Sequence, residues 1–169
     1  MFSVGSNVIY GSNGVCRIEQ IRSECFSGEK KEYYILTPVD DPKTIIYVPT
    51  DAGALTAQMY RLLTREELCS LMSRQSEGEL LEWINDPRER KEMFRHILQG
   101  GDRAQLLRML RTIDERRLRQ AEQGRKLYAA DEEAFDRAQR RLHGEIAAVM
   151  HLRPEEVRAF VQSCWQADG

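Results

Sequence analysis

The sequence predicts an α+β chain of two domains, a small antiparallel β module over residues 1–60 followed by an all-α helical bundle over 61–169. Three observations carry this. Val4, Val8 and Tyr10 stand at even spacings, the period of a strand buried on one face, and Val15, Ile18 and Ile21 carry the apolar pattern on. Gly5, Gly11, Gly14 and Gly28 fall between these runs, where tight turns need positive φ or a close backbone approach. Beyond residue 60 the apolar residues recur every three or four positions, which is helical.

In order along the β module, Phe2 to Tyr10 is the first expected strand and Gly11 to Gly14 a turn. Val15 to Ser23 is the second strand, and Phe26-Ser27-Gly28-Glu29-Lys30 a hairpin loop. Glu32 to Thr37, with two tyrosines and two aliphatics, suits a third strand. Pro38 to Lys43 is a loop, and Thr44 to Val48 a β-rich strand stopped by Pro49. Four or five short strands in about 50 residues predict a small curled sheet or SH3-like barrel. Its expected core is Val4, Val8, Val15, Ile18, Ile35, Leu36, Ile46 and Val48.

Residues 50–62 read as a connection. Thr64-Arg65-Glu66-Glu67 has the form of a capping box opening a helix lined by Leu68, Leu71 and Met72. Glu77 to Ile84 is read as a second short helical run. Asp86-Pro87 places a capping residue before a proline at a helix start, and Met93, Phe94, Ile97 and Leu98 line the buried face. Gly100-Gly101 ends that helix, and Asp102 caps the next, which runs to about Gln123. Two further helices are expected over Asp131 to Met150 and from Pro154 through Cys164, and a bundle buries their stripes.

Composition narrows the function. The charged fraction is 31% and the mean hydropathy is negative, as for a soluble protein with small cores. No stretch approaches the roughly 18 apolar residues of a membrane span, and the amino terminus lacks a basic segment followed by an apolar run, so a cytoplasmic protein without membrane contact is expected. Cys16, Cys25, Cys69 and Cys164 are scattered, without zinc-site spacing, and read as reduced thiols. His96, His143 and His151 are isolated, and no phosphate-cradling glycine loop is present. The expectation is a non-enzyme with no catalytic residue, metal or cofactor.

The net charge of −2 hides a local asymmetry. From Arg88 to Lys126 there are 12 basic residues against 6 acidic ones, a balance of +6. Such a stretch either meets phosphates or forms a solvated helix face of alternating charge.

Phe2-x-Val4-Gly5-x-x-Val8-x-Tyr10, then Gly14-Val15, then Gly28-Glu29-x-x-Glu32-Tyr33, then Tyr47-Val48-Pro49 resembles the amino-terminal module of the CarD-like bacterial transcription regulators. It is similar also to the RNA-polymerase-interacting domain of the transcription-repair coupling factor. The resemblance covers residues 1–50 in order. It implies a Tudor-like β fold that docks on the β subunit of RNA polymerase by strand-to-strand contact. The residues expected at that contact are Thr44, Ile45, Ile46, Tyr47, Val48 and Pro49, since Pro42 and Pro49 bracket an edge strand open to a partner. Tyr47 either presents its ring to the partner or packs on its own sheet.

The helical half resembles the same family in its order of pieces: Gly101-Asp102, a long Arg-rich helix, a loop, and a helix containing Gly144-Glu145. The resemblance implies sequence-nonspecific contact with promoter DNA at the upstream edge of the transcription bubble, with a tryptophan wedge near the minor groove. Aligned through Gly101-Asp102, the wedge position falls at about Pro87, so Trp83 is either a shifted wedge or a core residue. Arg88, Arg90, Lys91 and Arg95 lie nearby as candidate phosphate contacts. The function implied is a monomeric transcription regulator that docks on polymerase and stabilises the open promoter complex. The alternative is a protein–protein adapter that uses the β module without touching DNA.

Overall fold

The computed structural model describes residues 2–51, 53–74 and 78–166. The chain divides into two compact units, Met1–Leu62 and Leu63–Gly169, the first built on an antiparallel sheet and the second helical, an α+β arrangement.

The first unit contains β1 (Asn7–Tyr10), β2 (Val15–Phe26), β3 (Glu29–Pro38), β4 (Ile46–Pro49) and β5 (Met59–Arg61), with a short helix α1 (Gly53–Thr56) before β5. The strands lie in the order β4-β3-β2-β1-β5, all antiparallel. The hairpin is longer and its loop tighter than the sequence suggested. Ser27 and Gly28 both adopt positive φ, 58° and 85°, the geometry of a two-residue turn whose twist matches its strands. Phe26 and Glu29 therefore pair directly. The register shifts between Ile18 and Gln20, so Glu19 is an extra residue that bends β2.

Three expectations for this unit need correction. The first strand begins at Asn7, because Ser3 and Ser6 close a turn through the Ser6 N–H and hydroxyl, leaving Val4 56% exposed and outside the core. The fourth strand is Ile46–Pro49 and not Thr44 to Val48, since Thr44 is tied back to Asp41 by its amide and its hydroxyl. The supposed connection over residues 50–62 holds α1 and β5. One core cluster is Val8, Cys16, Ile18, Tyr34, Leu36, Val48 and Met59, with Ile46 packed half-buried against it, and the expected Val15 and Ile35 are buried as well. Burial pushes the Cys16 thiol up to about 12, helped by the nearby Asp40 charge, so it behaves as a small apolar side chain.

The helical unit contains α2 (Arg65–Arg74), α3 (Pro87–Gln99), α4 (Arg103–Glu122), α5 (Ala129–Met150) and α6 (Pro154–Gln166). The caps read from the sequence are formed. The Thr64 amide donates to the Glu67 carboxylate at 2.9 Å and the Glu67 amide to the Thr64 hydroxyl at 3.1 Å. Asp86 accepts from the Arg88 and Glu89 amides, and Asp102 from the Gln105 amide. One core runs through the unit, from Leu68 and Met72 on α2, through Phe94, Leu107 and Ile113, to Leu142, Ile146 and Val157.

The expected helix over Glu77 to Ile84 is absent where it is described. Residue 77 lies outside the described residues, and 78–84 form no helix. Side chains of α3 and α4 hold this segment instead. Arg111 Nη1 donates to the Gly78 carbonyl at 2.9 Å and Arg108 Nε to the Glu79 carbonyl at 2.8 Å. The Leu81 amide donates to Thr112 Oγ1 at 3.0 Å, and Arg90 Nη1 to the Ile84 carbonyl at 2.9 Å. These bonds satisfy backbone groups that would otherwise need a helix ladder.

Candidate functional site

In the β unit the candidate site is the outer edge of β4. Among the described residues this strand has β3 on one side and no strand on the other. Antiparallel pairs alternate between bonded and non-bonded positions. The Thr50 amide donates to the Glu32 carbonyl at 3.0 Å, so Glu32/Thr50 is a bonded pair. By alternation Tyr34/Val48 and Leu36/Ile46 are bonded too, and Tyr47 and Pro49 turn their backbone groups outward. This parity explains why a proline fits inside the strand: its missing N–H faces away from β3. The Pro49 carbonyl is taken by the Thr56 hydroxyl at 2.8 Å. The Tyr47 N–H and C=O thus face the open side of the sheet.

The six residues expected at the edge divide accordingly. Val48 is fully buried and Ile46 half-buried against the core, so they anchor the strand. Thr44 belongs to the Asp41 turn, while Ile45 and Tyr47 are exposed. Tyr47 packs on its own sheet, edge-to-face on Tyr33 and Phe26, and the residue is still 37% exposed.

In the helical unit the candidate DNA residues separate by helix phase. Arg88, Lys91 and Arg95 are exposed and recur at i, i+3 and i+7, one stripe of α3. Arg95 pairs with Glu92 at 2.7 Å on the surface; among the described residues Arg88 and Lys91 meet no carboxylate. Arg90 is a correction. It is 2% exposed and forms a two-pronged pair with Asp131, Nε to Oδ1 and Nη2 to Oδ2, both 2.8 Å. With its third nitrogen on Ile84, this side chain is not available to a phosphate.

Trp83 lies against that pair. The Arg90 guanidinium sits 4.5 Å from its ring centroid, that of Arg116 4.9 Å, and the Phe94 ring 6.3 Å, edge-on. The indole is part-buried against the core and fixes Arg90 from one side, as Tyr128 does at 5.6 Å. Trp83→Ala is therefore expected to lower stability by about 3 kcal/mol, read from urea unfolding. A variant as stable as the parent would show that the ring contributes nothing to the fold.

Much of the +6 stretch is likewise structural. Arg108 and Arg111 hold the segment 78–84, and Arg103 makes a two-pronged pair with Glu145, at 3.1 and 2.9 Å. Glu145, 1% exposed, also accepts the Leu63 amide at 3.0 Å. Arg141, from α5, closes the end of α3 by donating to the Leu98 and Gly100 carbonyls. Position relative to the apolar stripe was the available signal: Arg90, Phe94, Ile97 and Leu98 fall at i, i+4, i+7 and i+8. Among the described residues no group of three or more His, Cys, Asp or Glu is placed to hold a metal ion, and no helix is long and apolar enough to cross a membrane.

Residues 2–62 match the family model of the CarD-like/TRCF RID domain, which places the β unit in that family. The match spans the sheet with its open β4 edge and ends where the helical unit begins. A domain of this kind points to transcription factors that interact with RNA polymerase, a non-catalytic class. No curated protein matches the chain.

Proposed function

We propose that this protein is a transcription regulator that docks on the β subunit of RNA polymerase through the open edge of β4. From there it stabilises the open promoter complex by sequence-nonspecific DNA contacts near the upstream edge of the bubble. The observation that carries the reading is the outward-facing backbone of Tyr47 in a domain of the RID family. A strand of the β subunit extends the sheet there, exchanging main-chain hydrogen bonds with it. The order β4-β3-β2-β1-β5 suits a Tudor-like module. Arg88, Lys91 and Arg95 make the phosphate contacts from one face of α3, while Trp83 and Arg90 support that helix and do not enter the groove.

The test is promoter footprinting and open-complex lifetime with the polymerase of the same organism, with and without the full chain. A longer lifetime and an extended upstream footprint are expected. Lys91→Gln should reduce the slope of log affinity against log salt by about 0.9, one phosphate contact fewer. A specific observation favours a second reading: Arg90, Arg103, Arg108 and Arg111 are spent within the fold, which lowers the charge available to DNA. An adapter that binds polymerase alone would leave lifetime and footprint unchanged.

A further inference from the structure

A cluster of aromatic rings beside the hairpin tip adds to the β4 edge a feature that main-chain docking does not use. Phe26, Tyr33 and Tyr47 come from three different strands and meet as a triangle of edge-to-face rings. The centroids are 5.3 Å apart for Phe26–Tyr33, 5.3 Å for Phe26–Tyr47 and 6.2 Å for Tyr33–Tyr47. Tyr33 is buried beneath the other two, whereas Phe26 remains 46% exposed. The register puts this triangle on the face opposite the small core: Tyr34, Leu36 and Val48 point into that core, and Tyr33 and Tyr47 alternate with them. An apolar ring left half in water at a hairpin tip has no role in that core.

We propose that Phe26 and Tyr47 form a receptor for one apolar side chain of the partner strand, so that the β4 edge selects its partner by side chain as well as by backbone. The inference rests on the docking reading. In a strand added to β4, the residue directly opposite Tyr47 projects on the same face as Tyr47, about 5 Å from its Cβ. It therefore meets the ring that Phe26 and Tyr33 hold upright. Ile45, two residues before Tyr47 and 58% exposed, prolongs the apolar lip. The occupant is an extended strand of the polymerase β subunit carrying an aliphatic or aromatic residue at that position. A charged residue there would be desolvated against two rings without a partner.

The experiment measures binding of the full chain to purified RNA polymerase by biolayer interferometry, beside thermal unfolding. Phe26→Ala should weaken binding at least tenfold, as expected for an aromatic anchor, with an unchanged unfolding midpoint, and Phe26→Leu should recover most of the loss. A benzoylphenylalanine at position 26 should photocross-link to the β subunit, a readout independent of stability. Full affinity of Phe26→Ala, or no cross-link to the β subunit, overturns the inference; if Tyr47→Pro still abolishes binding, the docking reading survives it. A parent chain that does not bind polymerase overturns both.

Discussion

Asp131→Ala is expected to cost about 3–5 kcal/mol of unfolding free energy, the largest loss for any single charged residue in the helical unit. Its carboxylate and the Arg90 guanidinium are both within a few per cent of full burial, and each nitrogen–oxygen contact is 2.8 Å. Removing the carboxylate leaves a cation that cannot deprotonate and has no water to replace its partner. The damage spreads, because the same guanidinium holds the Ile84 carbonyl and lies on Trp83 and Tyr128. Urea unfolding followed by circular dichroism measures it. The surface pair Arg137–Glu133 is the control, and Glu133→Ala should cost less than about 1 kcal/mol. The double variant Arg90→Met/Asp131→Leu should recover much of the loss, since apolar replacement removes both charges at once. An Asp131→Ala protein as stable as the parent would mean that water reaches Arg90.

Tyr47→Pro should abolish polymerase binding, by more than about a hundredfold, while leaving the sheet intact. The N–H it removes faces away from β3, so no bond of the β3–β4 ladder is lost. Ile46, which precedes the new proline, already has the extended backbone that position demands. The partner strand, in contrast, loses a donor for one carbonyl and the aromatic contact together, each worth roughly 1–3 kcal/mol. Tyr47→Ala keeps the N–H and should fall between the two. Competition binding with the intact polymerase gives the ranking, and equal affinity for parent and Tyr47→Pro would remove the edge from the mechanism.

The fold was legible wherever short-range chemistry decides it. The capping box at Thr64 and Glu67, the Asp86 and Asp102 caps, and the alternation around Val8 and Ile18 all depend on neighbours within a turn or a strand. Where the sequence misled, a distant partner was responsible. Leu80, Leu81, Trp83 and Ile84 have a helical spacing, yet Arg108, Arg111 and Thr112, some thirty residues away, bind their segment in another conformation. Arg90 reads as a surface cation until Asp131, which lies 41 residues on, is brought against it. At the edge, the sequence placed Tyr47 in a strand stopped by Pro49, but which backbone groups face outward follows from the register with β3. The ring of Phe26 joins them only because the hairpin turns in two residues.

The manner in which residues 78–84 are held bears on how the protein assembles. A helix can begin to close its own bonds as soon as one turn is nucleated, but among the described residues the partners of this stretch lie on α3 and α4. Its carbonyls and its Leu81 amide wait for guanidinium and hydroxyl groups that are correctly spaced only when α3 and α4 already stand. This stretch is therefore expected to order after the helices have met and to loosen first when they part.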